Sequence, residues 1–363
     1  MPLETPLTFL TRLAQAVTSR GLGRALRFKY FMVMEVAGWF SATGLWFHRT
    51  AVGWVTWEMT GSGAWLGIIV AAEAFPAIFL TPIAGAFADR YDRLTMGRWA
   101  QLAMTGNATL LAALTLLGLL NVYVLLVIML IQGVITAFWT PVRLAIVPSL
   151  VPRAELSAAI ALHSVLFNVA RFAGPAMAGG IIAVWGAAPA FVFNAVGYAV
   201  FLAALMYIRL LYPEPLSGVR QSLYRDFLEG LIYVFRHRGL RPFFAYMIVF
   251  EVLMRALIEL FPGFTDDIFH RGPEGLGILL SASGLGAICA SFSVGTFAKP
   301  QNITLVMVVA ILASIGFQIA FALTDVFWLA VFFSAALGAM ISAHGISGQI
   351  IVQTTVQGSM RGR

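Results

Sequence analysis

The sequence predicts an all-α integral membrane protein, and three observations carry that prediction. Its 363 residues are 60% hydrophobic and 11% charged, with a mean hydropathy of +0.88, far from the roughly 25% charge of a soluble domain. Apolar windows of about 20 residues, enough to cross a ~30 Å hydrocarbon core as helix, recur along nearly the whole chain. Between them, basic residues crowd into alternate connections. Backbone groups in lipid must be satisfied within the spanning segments, which at this length means helices.

Taken in order, the first 29 residues are polar, amphipathic and basic, and no small-residue cleavage site follows the first apolar run, so no cleavable signal peptide is expected. Ten spans are expected at about 30–57, 64–87, 97–120, 122–147, 157–184, 187–211, 242–265, 275–298, 303–323 and 326–350. A cytoplasmic N-terminus gathers nearly all of the 23 basic residues on one side, including Arg24, Arg27, Lys29, Arg90, Arg93, Arg98, Arg143, Arg153, Arg209 and Arg241. The opposite side then carries Glu58, Asp266, Asp267, Glu274 and Asp325. That asymmetry satisfies the positive-inside rule and predicts a multi-pass protein of the cell (inner) membrane.

One connection differs from the others. Residues 212–241 hold Leu223, Phe227, Leu228, Leu231 and Phe235 at helical spacing among charged residues, the pattern of an amphipathic helix on the inner leaflet. The expected domains are therefore a cytoplasmic segment 1–29, a six-helix bundle 30–211, the linker 212–241 and four helices in 242–363. Gly85-Ala-Phe-Ala-Asp89 closes the second span, and Gly295-Thr-Phe-Ala-Lys299 closes the second span after the linker. Such matched placement indicates internal duplication, the architecture of many transporters, whose substrate path runs between the repeats.

The stretch Gly85-Ala-Phe-Ala-Asp89-Arg90-Tyr-Asp-Arg93 resembles the loop 2–3 signature of the major facilitator superfamily, Gly-x-Leu-x-Asp-Arg-x-Gly-Arg-Arg/Lys. Phe87, Asp92 and Leu94 depart from it. Gly174-Pro175-Ala-Met-Ala-Gly179-Gly180 in the fifth span is similar to the family's antiporter signature with one residue inserted. Trp54 to Ser62, Pro141 to Pro148 and Asn168 to Pro175 are similar to the branch of enterobactin exporters and related drug and secretion effluxers. The resemblance implies two pseudo-symmetric bundles of six helices, of which ten spans are present and the last two are expected beyond Arg363. It also implies that Gly85, Asp89, Arg90 and Arg93 form half of a cytoplasmic gate, with Asp89 meeting a helix N-terminus, where an anion is favoured.

Charges inside spans cost about 2.5 kcal/mol or more at the bilayer centre and face cavities or partners. Glu73, three residues before Pro76 and near the middle of span two, is the leading candidate for a protonatable carboxylate. Glu251, Arg255 and Glu259 lie four apart on one face of span seven, with a net charge of −1 that favours a cation or proton. Arg171 in span five needs a partner, for which Glu73 and Glu251 are the candidates. Asn168, Gly174, Pro175, Gly179 and Gly180 supply a kink and a thin helix face for packing. The single cysteine, Cys289, reads as a small core residue.

No metal-ligand spacing and no phosphate-cradling Gly-x-x-x-x-Gly-Lys-Ser/Thr loop occurs, so neither metal nor ATP is expected to drive the protein. The expected function is secondary active export of a small amphipathic molecule by alternating access, with a proton gradient as energy source and no cofactor. The expected partners are that small molecule and the bilayer, with no nucleic acid and a monomeric state. A lipid or lysolipid translocator and an inactive membrane scaffold are the alternatives.

Overall fold

The computed structural model describes residues 22–212, 232–297 and 301–355, and the side chains of Asp89 and Arg90 lie outside that description. Ten helices of 20 residues or more are present among the described residues: α1 (Lys29–Thr60), α2 (Gly63–Arg90), α3 (Arg93–Leu116), α4 (Val122–Ile146), α5 (Leu156–Trp185), α6 (Ala188–Tyr207), α7 (Leu240–Glu259), α8 (Gly272–Phe297), α9 (Ile303–Leu323) and α10 (Phe327–Thr355). Seven of them are long and apolar enough to cross a membrane by length and composition. The other three are α1, α3 and α7; α1 carries Glu35, His48 and Arg49, and α7 carries Glu251, Arg255 and Glu259. Most of the amphipathic segment expected in the linker, 213–231, lies outside the described residues.

The boundaries have local causes. Gly61 ends α1 with φ +55°, and Gly186 ends α5 with φ +75°, left-handed positions where glycine carries no Cβ penalty. The carboxylate of Asp92 accepts from Thr95 N at 2.7 Å and caps α3. Asn121 Oδ1 accepts from Tyr123 N and Val124 N at 3.1 and 3.0 Å and caps α4. Asp92 thus has a use of its own in the loop where it departs from the family pattern.

Helix α1 packs against α5 and α6, α2 against α4, and α3 against α4 and α6; α8 and α9 both pack on α10, and α8 also lies along α5. Alternate connections define two faces of the molecule. The basic face holds the start of α1 and Arg153, and the acidic face holds Glu58, Asp266, Asp267, Glu274 and Asp325. Within α1 to α6, one apolar cluster around Phe31, Met34, Ile146, Leu150 and Leu205 fills the basic half. A second, around Phe47, Val55, Leu111, Leu125 and Phe191, fills the acidic half. Between them runs a polar layer containing Asn107, Gln132, Asn194 and Tyr198, in which Asn107 Nδ2 donates to Gln132 Oε1 at 3.0 Å.

Close backbone approach holds α8 to α10. A Cβ on Gly286 would collide with the carbonyl of Ala335, and one on Gly338 with the carbonyl of Ser283. Ser334 Oγ donates to Leu279 O at 2.7 Å along the same seam. Membrane helices associate through such small-residue contacts because lipid supplies no hydrophobic drive for them to meet. Cys289, expected in the core, is exposed on α8: its helix turns the neighbouring glycine and alanine positions inward instead. Gly286→Ala should destabilise the fold by about 1–3 kcal/mol through overpacking and lower the thermal-unfolding midpoint in detergent. Gly295→Ala, in open space on the same helix, should leave the midpoint unchanged or slightly raised; equal midpoints for the two variants would contradict this packing.

Candidate functional site

The polar layer borders a cavity of about 180 Å³ lined by α1, α2, α4, α5 and α6. From the basic half it receives Glu35, Arg143 and His163, and from the middle Arg49, Glu73, Gln132 and Tyr198. A smaller cavity of about 70 Å³ adjoins it toward the acidic face, lined by His48, Arg49, Glu73, Arg255 and Glu259 among others. Only Arg49 and Glu73 line both cavities among their lining residues.

Helix α2 is drawn tightly onto α4 at this level, because Gly133 admits the backbone carbonyl of Glu73 where any Cβ would collide with it. That contact fixes the depth of Glu73 between the two cavities. Nearby, His163 Nδ1 lies 3.1 and 3.2 Å from the two carboxylate oxygens of Glu35, whose side chain is 2% exposed. Glu35 and His163 come from α1 and α5, 128 residues apart, and sequence spacing gave no signal for the pair. The sequence had placed Arg143 with the basic residues of the cytoplasmic side. In the structure it lies within α4, lines the larger cavity and sits over the Phe167 ring at 5.9 Å. Its place near the basic end of the span gave no sign that the side chain lines the cavity.

Arg171 makes no ion pair with Glu73 or Glu251 among the described residues; its guanidinium lies over the Trp46 ring at 5.8 Å. Arg49 lies over the same ring at 5.5 Å, and Trp46 meets Phe167 edge-on at 6.4 Å. On α7, Arg255 Nε donates to Glu259 Oε1 at 3.3 Å and Arg255 Nη1 lies 3.9 Å from Glu251 Oε1. Arg255 and Glu259 reach the smaller cavity, but Glu251 is exposed on its helix and is not among the residues lining either cavity.

The glycine signature of α5 divides by face. Gly174 lies against Trp46 and the carbonyl of Thr43, holding α5 to α1 beneath the aromatic pair. Gly179 and Pro175 meet Gly277 of α8 at backbone distance, and Gly284 of α8 meets Arg171 and Phe172 in the same way. Gly180 faces open space and takes no part in this contact, contrary to the expectation from the motif. Asn168 Nδ2 donates to Ser164 O at 2.8 Å, a bond within its own helix. Gly85 also faces open space, and Arg93 has a polar contact, while the side-chain geometry of Asp89 and Arg90 lies outside the described residues.

At the acidic face the first and later helices are joined. Trp57 Nε1 donates to Asp266 Oδ2 at 3.1 Å, the Trp57 ring covers Gly263, and Gly53 meets Pro262. Trp54 packs into the aromatic cluster of Phe261, Phe269, Phe321 and Phe327. A largely exposed hydrogen bond contributes about 0.5–1.5 kcal/mol. Trp57→Phe should therefore raise labelling of Val70→Cys, in a Cys289→Ser background, by an impermeant maleimide from the acidic side about two- to tenfold. Unchanged labelling would show that this bond does not hold the acidic end shut.

A family model described as transmembrane secretion effector matches residues 24–363. A staphyloferrin A transporter of Staphylococcus aureus (strain NCTC 8325 / PS 47) is 27% identical over 252 residues, 68% of this chain and 62% of that protein. Macrolide efflux protein A of Streptococcus pyogenes is 22% identical over 255 residues, 70% of this chain and 63% of that protein. The multidrug efflux pump Tap of Mycobacterium tuberculosis (strain CDC 1551 / Oshkosh) is 25% identical over 279 residues, 74% of this chain and 66% of that protein. The chain thus spans less than two thirds of the length of the first two relatives. Among solved structures, the nucleoside transporter NupG superposes with TM-score 0.71 at 14% identity, covering 92% of this chain and 84% of that one. A bacterial homologue of the iron transporter ferroportin, in an inward-facing state, gives 0.64 at 14% identity over 92% and 86%. At such identities the likeness concerns the fold.

Proposed function

The chain belongs to the transmembrane secretion effector family of the major facilitator superfamily, whose members are multi-pass membrane transporters and not enzymes, and on that premise we propose that it exports a small amphipathic molecule by alternating access coupled to proton movement. In this reading the ten long helices are ten spans, α1 to α6 form one bundle and α7 to α10 belong to a second. The basic face is cytoplasmic, in keeping with the positive-inside rule. Two of the named relatives are efflux proteins, for macrolides and for multiple drugs, and a third is named for staphyloferrin A, which supports a small-molecule cargo and an outward direction.

The observation that carries this reading is the position of Glu73, which lines both the larger cavity on the basic side and the smaller one toward the acidic side. A carboxylate at such a boundary can take a proton from one side and release it to the other as access alternates, without itself travelling. Arg49 stands at the same boundary. The seam of α5 on α8 and the contacts of Trp57 close the acidic side, and the larger cavity then serves as the cytoplasmic vestibule. Asp89, Arg90 and Arg93 at the opposite face act as the cytoplasmic latch that must release in this state.

The protein reconstituted into vesicles should extrude an amphipathic dye from a panel of probes of either charge faster under an imposed pH gradient. Glu73→Gln should remove that stimulation and leave the rate seen without a gradient, with an unchanged thermal-unfolding midpoint. Gradient stimulation that survives Glu73→Gln would overturn the assignment of Glu73, and the absence of any extrusion across a panel of amphipathic probes would overturn the export reading.

A further inference from the structure

Two guanidinium groups, those of Arg49 and Arg143, line the larger cavity, a third, that of Arg171, lies beside it over the Trp46 ring, and none of the three forms an ion pair with a carboxylate among the described residues. Arg49 of α1 and Arg171 of α5 both lie over the Trp46 ring, at 5.5 and 5.8 Å. Arg143 of α4 lies over the Phe167 ring at 5.9 Å, and the two rings touch edge-on at 6.4 Å. The arginines are therefore gathered on one continuous aromatic platform. Stacking on a ring orients a guanidinium but leaves its N–H groups unspent.

The unpartnered donors nearby point the same way. Arg143 Nε, Trp46 Nε1 and Trp39 Nε1 are buried without a hydrogen-bond partner among the described residues. Buried polar groups are nearly always bonded, and an orphan set made of donors calls for an acceptor. The carboxylates on this cavity are Glu35 and Glu73. Glu35 is taken by His163, 3.1 Å away, which leaves the two lining guanidiniums of Arg49 and Arg143 against the one carboxylate of Glu73, an excess of positive charge. The Glu251, Arg255 and Glu259 ladder pairs within itself on α7 and reaches only the smaller cavity.

The geometry points to an anion-binding subsite in the larger cavity, built by Arg49 and Arg143 of its lining on the Trp46 and Phe167 platform that Arg171 also flanks, that takes the carboxylate or other oxyanion of an amphipathic cargo. This rests on the transport reading of the same cavity and names its substrate class. The paired acids of α7 had suggested a cationic cargo; the larger cavity selects the opposite sign. Arginine is suited to the task because its planar fork meets a carboxylate with two parallel hydrogen bonds, and the rings flanking it receive the apolar part of the same molecule. An anion bound there is also driven outward by an interior-negative membrane potential.

The test is equilibrium binding to the purified protein in detergent, by isothermal titration with 2-naphthoate and with the isosteric cation 2-naphthylmethylammonium. The anion should bind at least about tenfold more tightly, the worth of one charge-assisted hydrogen bond. Arg49→Gln and Arg143→Gln should each remove about that factor for the anion and leave the cation unchanged, while Arg143→Lys restores part of it. Equal or tighter binding of the cation by the unaltered protein overturns the proposal, whether or not the variants fold. So does anion binding that is unaffected in a folded Arg49→Gln/Arg143→Gln variant. Because binding is read without a gradient, anion preference with no vesicle transport would uphold the subsite and reject the export reading. Transport without anion preference would do the reverse.

Discussion

Charge held inside apolar helices is the constraint on which the rest of this structure depends. An arginine or glutamate near the middle of a spanning helix costs at least about 2.5 kcal/mol on insertion, and α1, α2, α4 and α5 together carry Glu35, Arg49, Glu73, Arg143 and Arg171. The fold meets that cost by turning all of them but Arg171 toward a single cavity and by giving the arginines aromatic surfaces to lie on. The apolar clusters on either side fix how far each helix can slide, so the charges stay in register. Glu73 illustrates the coupling of packing to chemistry: its depth follows from the absence of a side chain at Gly133 on the facing helix.

A second constraint acts between the first six helices and the last four. Their broadest contact is α5 on α8, where Gly179 and Gly277 bring backbones together and Gly284 receives Arg171 and Phe172. The seam runs from the acidic end to the level of the cavity, and its lower end includes the residue that carries one of the three guanidiniums. Movement of α8 along α5 therefore reaches Arg171 and, through Trp46, the cavity wall. The packing of the first six helices on the last four and the wall of the cavity thus share one helix, α5.

Much of the architecture was legible in the sequence because it follows from period and composition. Helix positions came from apolar windows and the family from the Gly85 to Arg93 stretch, whereas the caps at Gly61, Gly186, Asn121 and Asp92 emerged with the structure. Glu73, Arg171, Arg255 and Glu259 stood out as charges in apolar runs, and all but Arg171 line a cavity. What escaped needed knowledge of helix rotation or of distant neighbours. Arg143 read only as one of the basic residues near the cytoplasmic side, because distance from a helix end says nothing about facing. Gly179 and Gly180 read alike, although about 100° of helical rotation separates them and only the first meets α8. Glu35 with His163, and Trp46 beneath two arginines, have no spacing that announces them.

The central claim is that the acidic and basic ends of the molecule open reciprocally around the cavity. Spin labels at Glu58→Cys and Asp325→Cys across the acidic end, and at Arg153→Cys and Gln301→Cys across the basic end, in a Cys289→Ser background, measure both openings by pulsed electron resonance. Acidification or added cargo should lengthen the acidic-end distance while shortening the basic-end distance. Distances that stay fixed, or that lengthen together, would contradict the account.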